Sequence, residues 1–155
     1  MLTEPPDGIK VLHPGDGLPI GTMTVLKAGA ADGSGDLTLM ERAFEPGAGS
    51  PLHLHHDADE AWYILAGELT YFSGDWSASV TSGSFVLVTR GTPHRYTVTS
   101  DQPARFLELF TTGGKERFFQ EVVASAVELD GQRMPYDEAQ SRYHDHNMTL
   151  LADPW

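Results

Sequence analysis

Between residues 37 and 110 short apolar runs alternate with turn signals. The runs are "LTLMERAF", "AWYILAGELTYF", "SASV", "SFVLVTR", "HRYTVTS" and "ARFLELF", rich in β-branched, aromatic and aliphatic residues. Between them stand "EPGAG", "SGD", "TSG", "RGTP" and "SDQP". Short strands at such regular spacing predict an all-β sandwich or barrel. No helical pattern separates them, which disfavours βαβ units.

After "TTGG" the period changes. In "KERFFQEVVASAVEL" Phe118, Val122, Ala126 and Leu129 recur at helical spacing, and Phe119, Val123 and Val127 widen the stripe. Lys115, Glu116, Gln120, Glu121 and Glu128 fall opposite. This predicts a C-terminal amphipathic helix packed by one face on the barrel, with Gly131 as its stop signal. A second short helix can begin at Pro135. The tail "HDHNMTLLADPW" shows no periodicity. The first 36 residues are broken by Pro and Gly and read as an irregular arm with one or two short strands, expected to pack on a neighbouring subunit. The organisation expected is one domain over 1–155, with the arm at 1–36, the barrel at 37–112 and a helical extension and tail at 113–155.

A chain of 155 residues suits a single domain. Apolar residues at 40% and charged residues at 21% are ordinary globular usage, while 16 Gly and 10 Pro agree with many turns. The formal net charge of −12 disfavours nucleic acid and anionic lipid as partners. With no cysteine, disulfides and thiolate metal sites are excluded. The opening "MLTEPPDGIK" lacks the pattern of a signal peptide, and no run approaches about 18 apolar residues, so no membrane span is expected and the expected location is cytoplasmic.

The chemistry concentrates in "HLHHDADE". In a strand, residues i and i+2 share a face, roughly 6.5–7 Å apart. His53 and His55 can therefore lean on one ion, whereas His56 points the other way. Glu60, at the start of the next strand, can supply a third ligand. His94 opens the strand after "RGTP" and can converge on the pair from across an antiparallel barrel. Parity puts Trp62 on the face of Glu60 and Tyr96 on that of His94, so both are pocket candidates, equally readable as core. Met40 is a third, although "EPGAGS" breaks its parity with the ligands. His144 and His146 repeat the His-x-His spacing, but no strand bearing a carboxylate follows them. They read as a solvated tail, with a tail folded over the barrel mouth as the alternative. His13 lies in the Pro/Gly arm and carries no signal.

The spacing Gly47, five residues, His53-x-His55, four residues, Glu60, six residues, Gly67 resembles the first motif of the cupin superfamily at every signature position. Gly83, Gly91 and His94 fit the second motif, with Thr89 where Pro is expected and Val98 where Asn is expected. The two departures fall on turn and framework positions. The resemblance covers about residues 35 to 110. It implies a small jelly-roll barrel holding one divalent transition metal (Fe, Ni, Mn, Cu or Zn) through His53, His55, Glu60 and His94. More narrowly, "PLHLHHDADEAWYILAGEL" with "GGKERFF" looks like the quercetinase-type single-domain bacterial cupins.

Such a resemblance implies a dioxygenase-type oxidoreductase. A phenolic or enolic aromatic substrate, flavonol- or polyketide-like, would bind at the metal with Glu60 as base, and O₂ would attack the activated carbon framework. Two alternatives stand beside it: a non-redox, Zn-dependent polyketide cyclase or isomerase, and a non-catalytic small-molecule-binding cupin. By the same analogy the arm makes a homodimer the expected assembly.

Overall fold

A computed structural model describes residues 5–130 and 132–152. It contains the strands β1 (Leu18–Ile20), β2 (Thr24–Ala28), β3 (Thr38–Phe44), β4 (His53–His55), β5 (Glu60–Ala66), β6 (Glu68–Ser73), β7 (Trp76–Thr81), β8 (Phe85–Val88), β9 (Arg95–Val98) and β10 (Ala104–Phe110). Helices α1 (Glu116–Glu128) and α2 (Tyr136–Asp145) follow, and then strand β11 (Met148–Leu150).

Two antiparallel layers face each other. One is a six-stranded sheet in the order β1-β2-β3-β10-β5-β8. The other holds β7-β6-β9 and the pair β11-β4, joined edge to edge by the bridges Gly49↔Thr97 and His53↔His94. This is the expected β-rich jelly roll. Alternation sorts each strand: Thr38, Met40 and Phe44 of β3, and Ala104, Phe106, Glu108 and Phe110 of β10, are buried. Phe44, Trp62, Ile64 and Phe106 from the first layer meet Leu69, Tyr71, Tyr96 and Val98 from the second in the main core. A smaller cluster of Ile20, Met40, Ala58 and Phe110 lies towards α1, with Phe119 and Val123 packed against it.

Gly67, in the turn between β5 and β6, shows why the motif needs glycine. Its φ is +78°, and a Cβ there would lie 2.7 Å from Ala104 Cα. Gly67→Ala is expected to cost more than about 2 kcal/mol, from left-handed strain and overpacking together. An unchanged denaturant midpoint would refute this.

The arm's two short strands join the sheet: β2 pairs with β3 (Thr24↔Arg42 to Leu26↔Met40) and β1 forms the sheet edge. Three expectations change. Helix α1 packs through Glu116, Phe118, Phe119, Val123 and Ser125, whereas Ala126 and Val127 face outward. Lys115 and Glu116, assigned to the solvent face, are 4% and 8% exposed. The reason is long-range pairing: Lys115 Nζ donates to Asp57 Oδ1 at 2.7 Å and to the His146 carbonyl at 2.7 Å, while Glu116 accepts from Ala30 N and Thr38 Oγ1. Such partners satisfy buried charges. The stop signal placed at Gly131 lies outside the described residues.

The tail is the third change. Residues 148–150 form a strand in register with β4: Met148↔His55, Thr149↔Leu54, Leu150↔His53. Asn147, at φ 56°, makes the turn out of α2, and its side-chain amide donates to Asp57 Oδ2 at 3.1 Å. The solvated reading holds for His144, whose side chain is exposed, but not for His146. His146 stacks edge-on to Phe118, and its Nε2 lies 2.9 Å from Glu121 Oε2.

Candidate metal centre

Strand β4 presents His53 and His55 on its inner face, and β5 begins with Glu60. His94 sits beside His53, and their backbones exchange two hydrogen bonds of 3.0 and 2.9 Å. All four side chains are buried, at 6%, 4%, 3% and 2% exposure in chain order. One ligand atom from each lies within 4.8 Å of all the others. Ligands on a single ion with bonds of roughly 2.0–2.2 Å are about 3–4.4 Å apart, so the set closes with shifts of a few tenths of an ångström. It therefore fits the metal that the motif implies.

The hydrogen bonds aim the rings. His53 Nδ1 donates to the Pro51 carbonyl at 2.8 Å and His94 Nδ1 to the Thr92 carbonyl at 2.9 Å. Each bond ties the ring to the carbonyl two residues earlier and leaves Nε2 as the lone-pair nitrogen facing the cluster. His55 Nδ1 has no partner among the described residues. Its ring is held by packing, 5.3 Å from Phe110.

Glu60 Oε2 lies 2.9 Å from both His55 Nε2 and His94 Nε2. Burial pushes its carboxyl up, but the bonds and charges of those two imidazoles outweigh burial and hold it well below the usual range. Burial pushes His94 down, and its bond to Glu60 more than restores it. Burial lowers His53 to about 4, against the pull of Glu60, so this ring is neutral and ready to ligate.

Beside the cluster, Glu108 accepts from Arg42 Nη1 at 2.5 Å and from Trp62 Nε1 at 3.1 Å. Burial raises its carboxyl to about 7 even though Arg42 opposes the shift. Sequence reading passed over this pair. An Arg and a Glu at inward parity on β3 and β10 were the available signal.

The cluster opens onto a cavity of ≈ 220 Å³. Tyr96 lines it, as do Phe110, Phe118, Phe119 and Tyr143. Met40 and Trp62 do not: they are 0% and 1% exposed in the two core clusters, although Trp62 stands edge-on to His94 at 5.8 Å. His56 points away, as parity requires, with its Nε2 2.8 Å from Thr149 Oγ1.

Known proteins agree with this architecture. Residues 40–110 match the family model of the Cupin domain. The jelly roll is the fold that this match implies for that part of the chain. Among solved structures, KdgF from Halomonas sp. is 17% identical, with a TM-score of 0.53 over 61% of this chain and 82% of that one. A predicted oxalate decarboxylase from Thermotoga maritima is 19% identical, with a TM-score of 0.54 over 57% and 78%. An oxalate oxidase is 19% identical, with a TM-score of 0.54 over 70% of this chain and 62% of that one. At these identities the likeness is one of fold. No curated protein matches the sequence. No helix among the described residues is long and apolar enough to cross a membrane.

Proposed function

We propose that the chain is a metal-dependent oxidoreductase of the dioxygenase type, acting on a phenolic or enolic aromatic small molecule. The observation that carries this reading is a buried His53–His55–Glu60–His94 set opening onto a cavity walled by Phe110, Phe118 and Phe119. A divalent transition metal held by those four residues would supply Lewis acidity and, if redox-active, the means to activate O₂.

The chain's own groups set the rest. The aromatic wall suits a flat ligand and keeps water from the reacting carbon. Glu60 is the base. Phenols and enols give up a proton far more readily than alcohols, so they suit a carboxylate base. The homodimer expected from the sequence belongs to the same proposal, with β1 and β2 already paired within their own chain. Exposed Tyr63, Phe85 and Leu87, on the outer face of the larger sheet, offer it a surface. A monomer mass by sedimentation equilibrium would remove that part.

The test begins with elemental analysis of protein made without added metal. O₂ uptake with quercetin, a flavonol, and with a polyketide-like phenol follows. The expected result is a redox-active metal and O₂ consumed in proportion to substrate lost. Zinc alone, with turnover unchanged in the absence of O₂, would replace this reading with the non-redox cyclase or isomerase. Binding without turnover would leave a small-molecule-binding cupin.

A further inference from the structure

The inner end of the cavity comes from the segment that matches the Cupin domain, but its outer wall does not. Phe118 and Phe119 come from α1, Ala139, Arg142 and Tyr143 from α2, and Met148 from β11, all beyond residue 110. Much of the surface that shapes this cavity's selectivity therefore lies outside the family segment.

Most polar groups around the cavity are engaged with protein. Arg42 is taken by Glu108, Lys115 by Asp57 and the His146 carbonyl, and Arg142 by the Glu121 carbonyl at 2.9 Å and by Ser125 Oγ. Two phenols differ. Tyr96, from β9, uses its backbone N–H on Ser50 Oγ, and among the described residues neither its hydroxyl nor that of Tyr143 has a hydrogen-bond partner. Both residues line the cavity, and Tyr96 is 2% exposed. The Tyr143 ring lies edge-on to His53 at 5.7 Å and to Phe118 at 4.9 Å. The contact with His53 places Tyr143 at the inner end of the cavity, beside the ligand cluster. A protonated phenol facing a cavity donates to what occupies it, and an oxygen on a bound ligand suits that role.

We infer that Tyr143 and Tyr96 are a specificity-determining pair that donates hydrogen bonds to ring-borne oxygens of the bound aromatic. This deepens the proposed function and rests on it. The ligand class narrows to aromatics carrying oxygen substituents beyond those that reach the metal. A bare aromatic chelator leaves both phenols unpaired and is disfavoured. Tyr143 is held in place before the ligand arrives. Arg142 ties the last turn of α2 to α1, and β11, just after that turn, ties the same end of α2 to the strand that carries His53 and His55. Such preorganisation reduces the ordering cost of binding.

The test is an anaerobic titration of metal-loaded protein, followed by ligand absorbance. It compares quercetin with 3-hydroxyflavone, which keeps the chelating enol and ketone but lacks the other ring hydroxyls. Wild type should prefer quercetin. In Tyr143→Phe, which keeps the ring and its packing, that preference should fall about tenfold with metal content unchanged. Tyr96→Phe should do the same and serves as the second variant. An unchanged preference in both variants, or no preference in wild type, overturns the pair while leaving the proposed function standing. Binding of neither compound by metal-loaded wild type overturns both.

Discussion

His94→Ala should strip the protein of its metal and leave the fold in place. The imidazole is one of four candidate ligands, and removing it leaves three, with Glu60 losing one of its two imidazole contacts. Second-sphere changes alone weaken metal sites roughly 10–100-fold, so loss of a direct ligand should cost more than about 100-fold in affinity. The fold survives because the link between His94 and His53 is made by their backbones, through two bonds that alanine retains. Competition against a chelator reads the affinity, and far-ultraviolet circular dichroism reads the fold. His56→Ala is the control: its ring points at Thr149 and should leave metal content unchanged. Full metal occupancy in His94→Ala would remove the four-residue site from consideration.

Arg42→Met should be the most destabilising single change away from the ligands, by about 3–5 kcal/mol. Arg42 lies over the rings of Phe44 and Phe119, at 4.4 and 4.6 Å, and its guanidinium is the cation that pairs with Glu108. Without it, a carboxylate 1% exposed stands beside Glu60 with only the Trp62 N–H for support. Methionine fills much of the volume, so the loss is electrostatic and not a cavity effect. Adding Glu108→Gln removes the stranded charge, keeps an acceptor for Trp62, and should recover more than half of the loss. Denaturant midpoints measure all three proteins. A single variant within about 1 kcal/mol of wild type, or a double variant no better than the single, would contradict this account.

The strands and the shared face of His53 and His55 could be read from sequence because both follow short-range rules of alternation and turn residues, while Glu60 and His94 joined the set through the motif spacing that the resemblance supplied. What escaped depends on partners far along the chain. Helical spacing put Lys115 and Glu116 outside, but Asp57, Ala30 and Thr38 bury them. "MTL" carries no strand pattern of its own and becomes a strand because β4 offers an edge. Parity was right about Trp62 facing inward, yet an inward face serves core and cavity alike. Two residues beyond Glu60 the interior is already solid, with Tyr71 and Tyr96 against the indole.

The register of β11 ties the far end of the chain to the ligand strand. Thr149 pairs with Leu54, between the two ligating histidines, and the Leu151 N–H donates to the Leu52 carbonyl at 2.9 Å. Any ion that stiffens His53 and His55 must also slow the opening of this last ladder, since the two share one backbone. Linkage makes the relation mutual. Hydrogen–deuterium exchange at residues 148–151 should therefore slow as metal is added, so that the amides of this strand report whether the centre is filled.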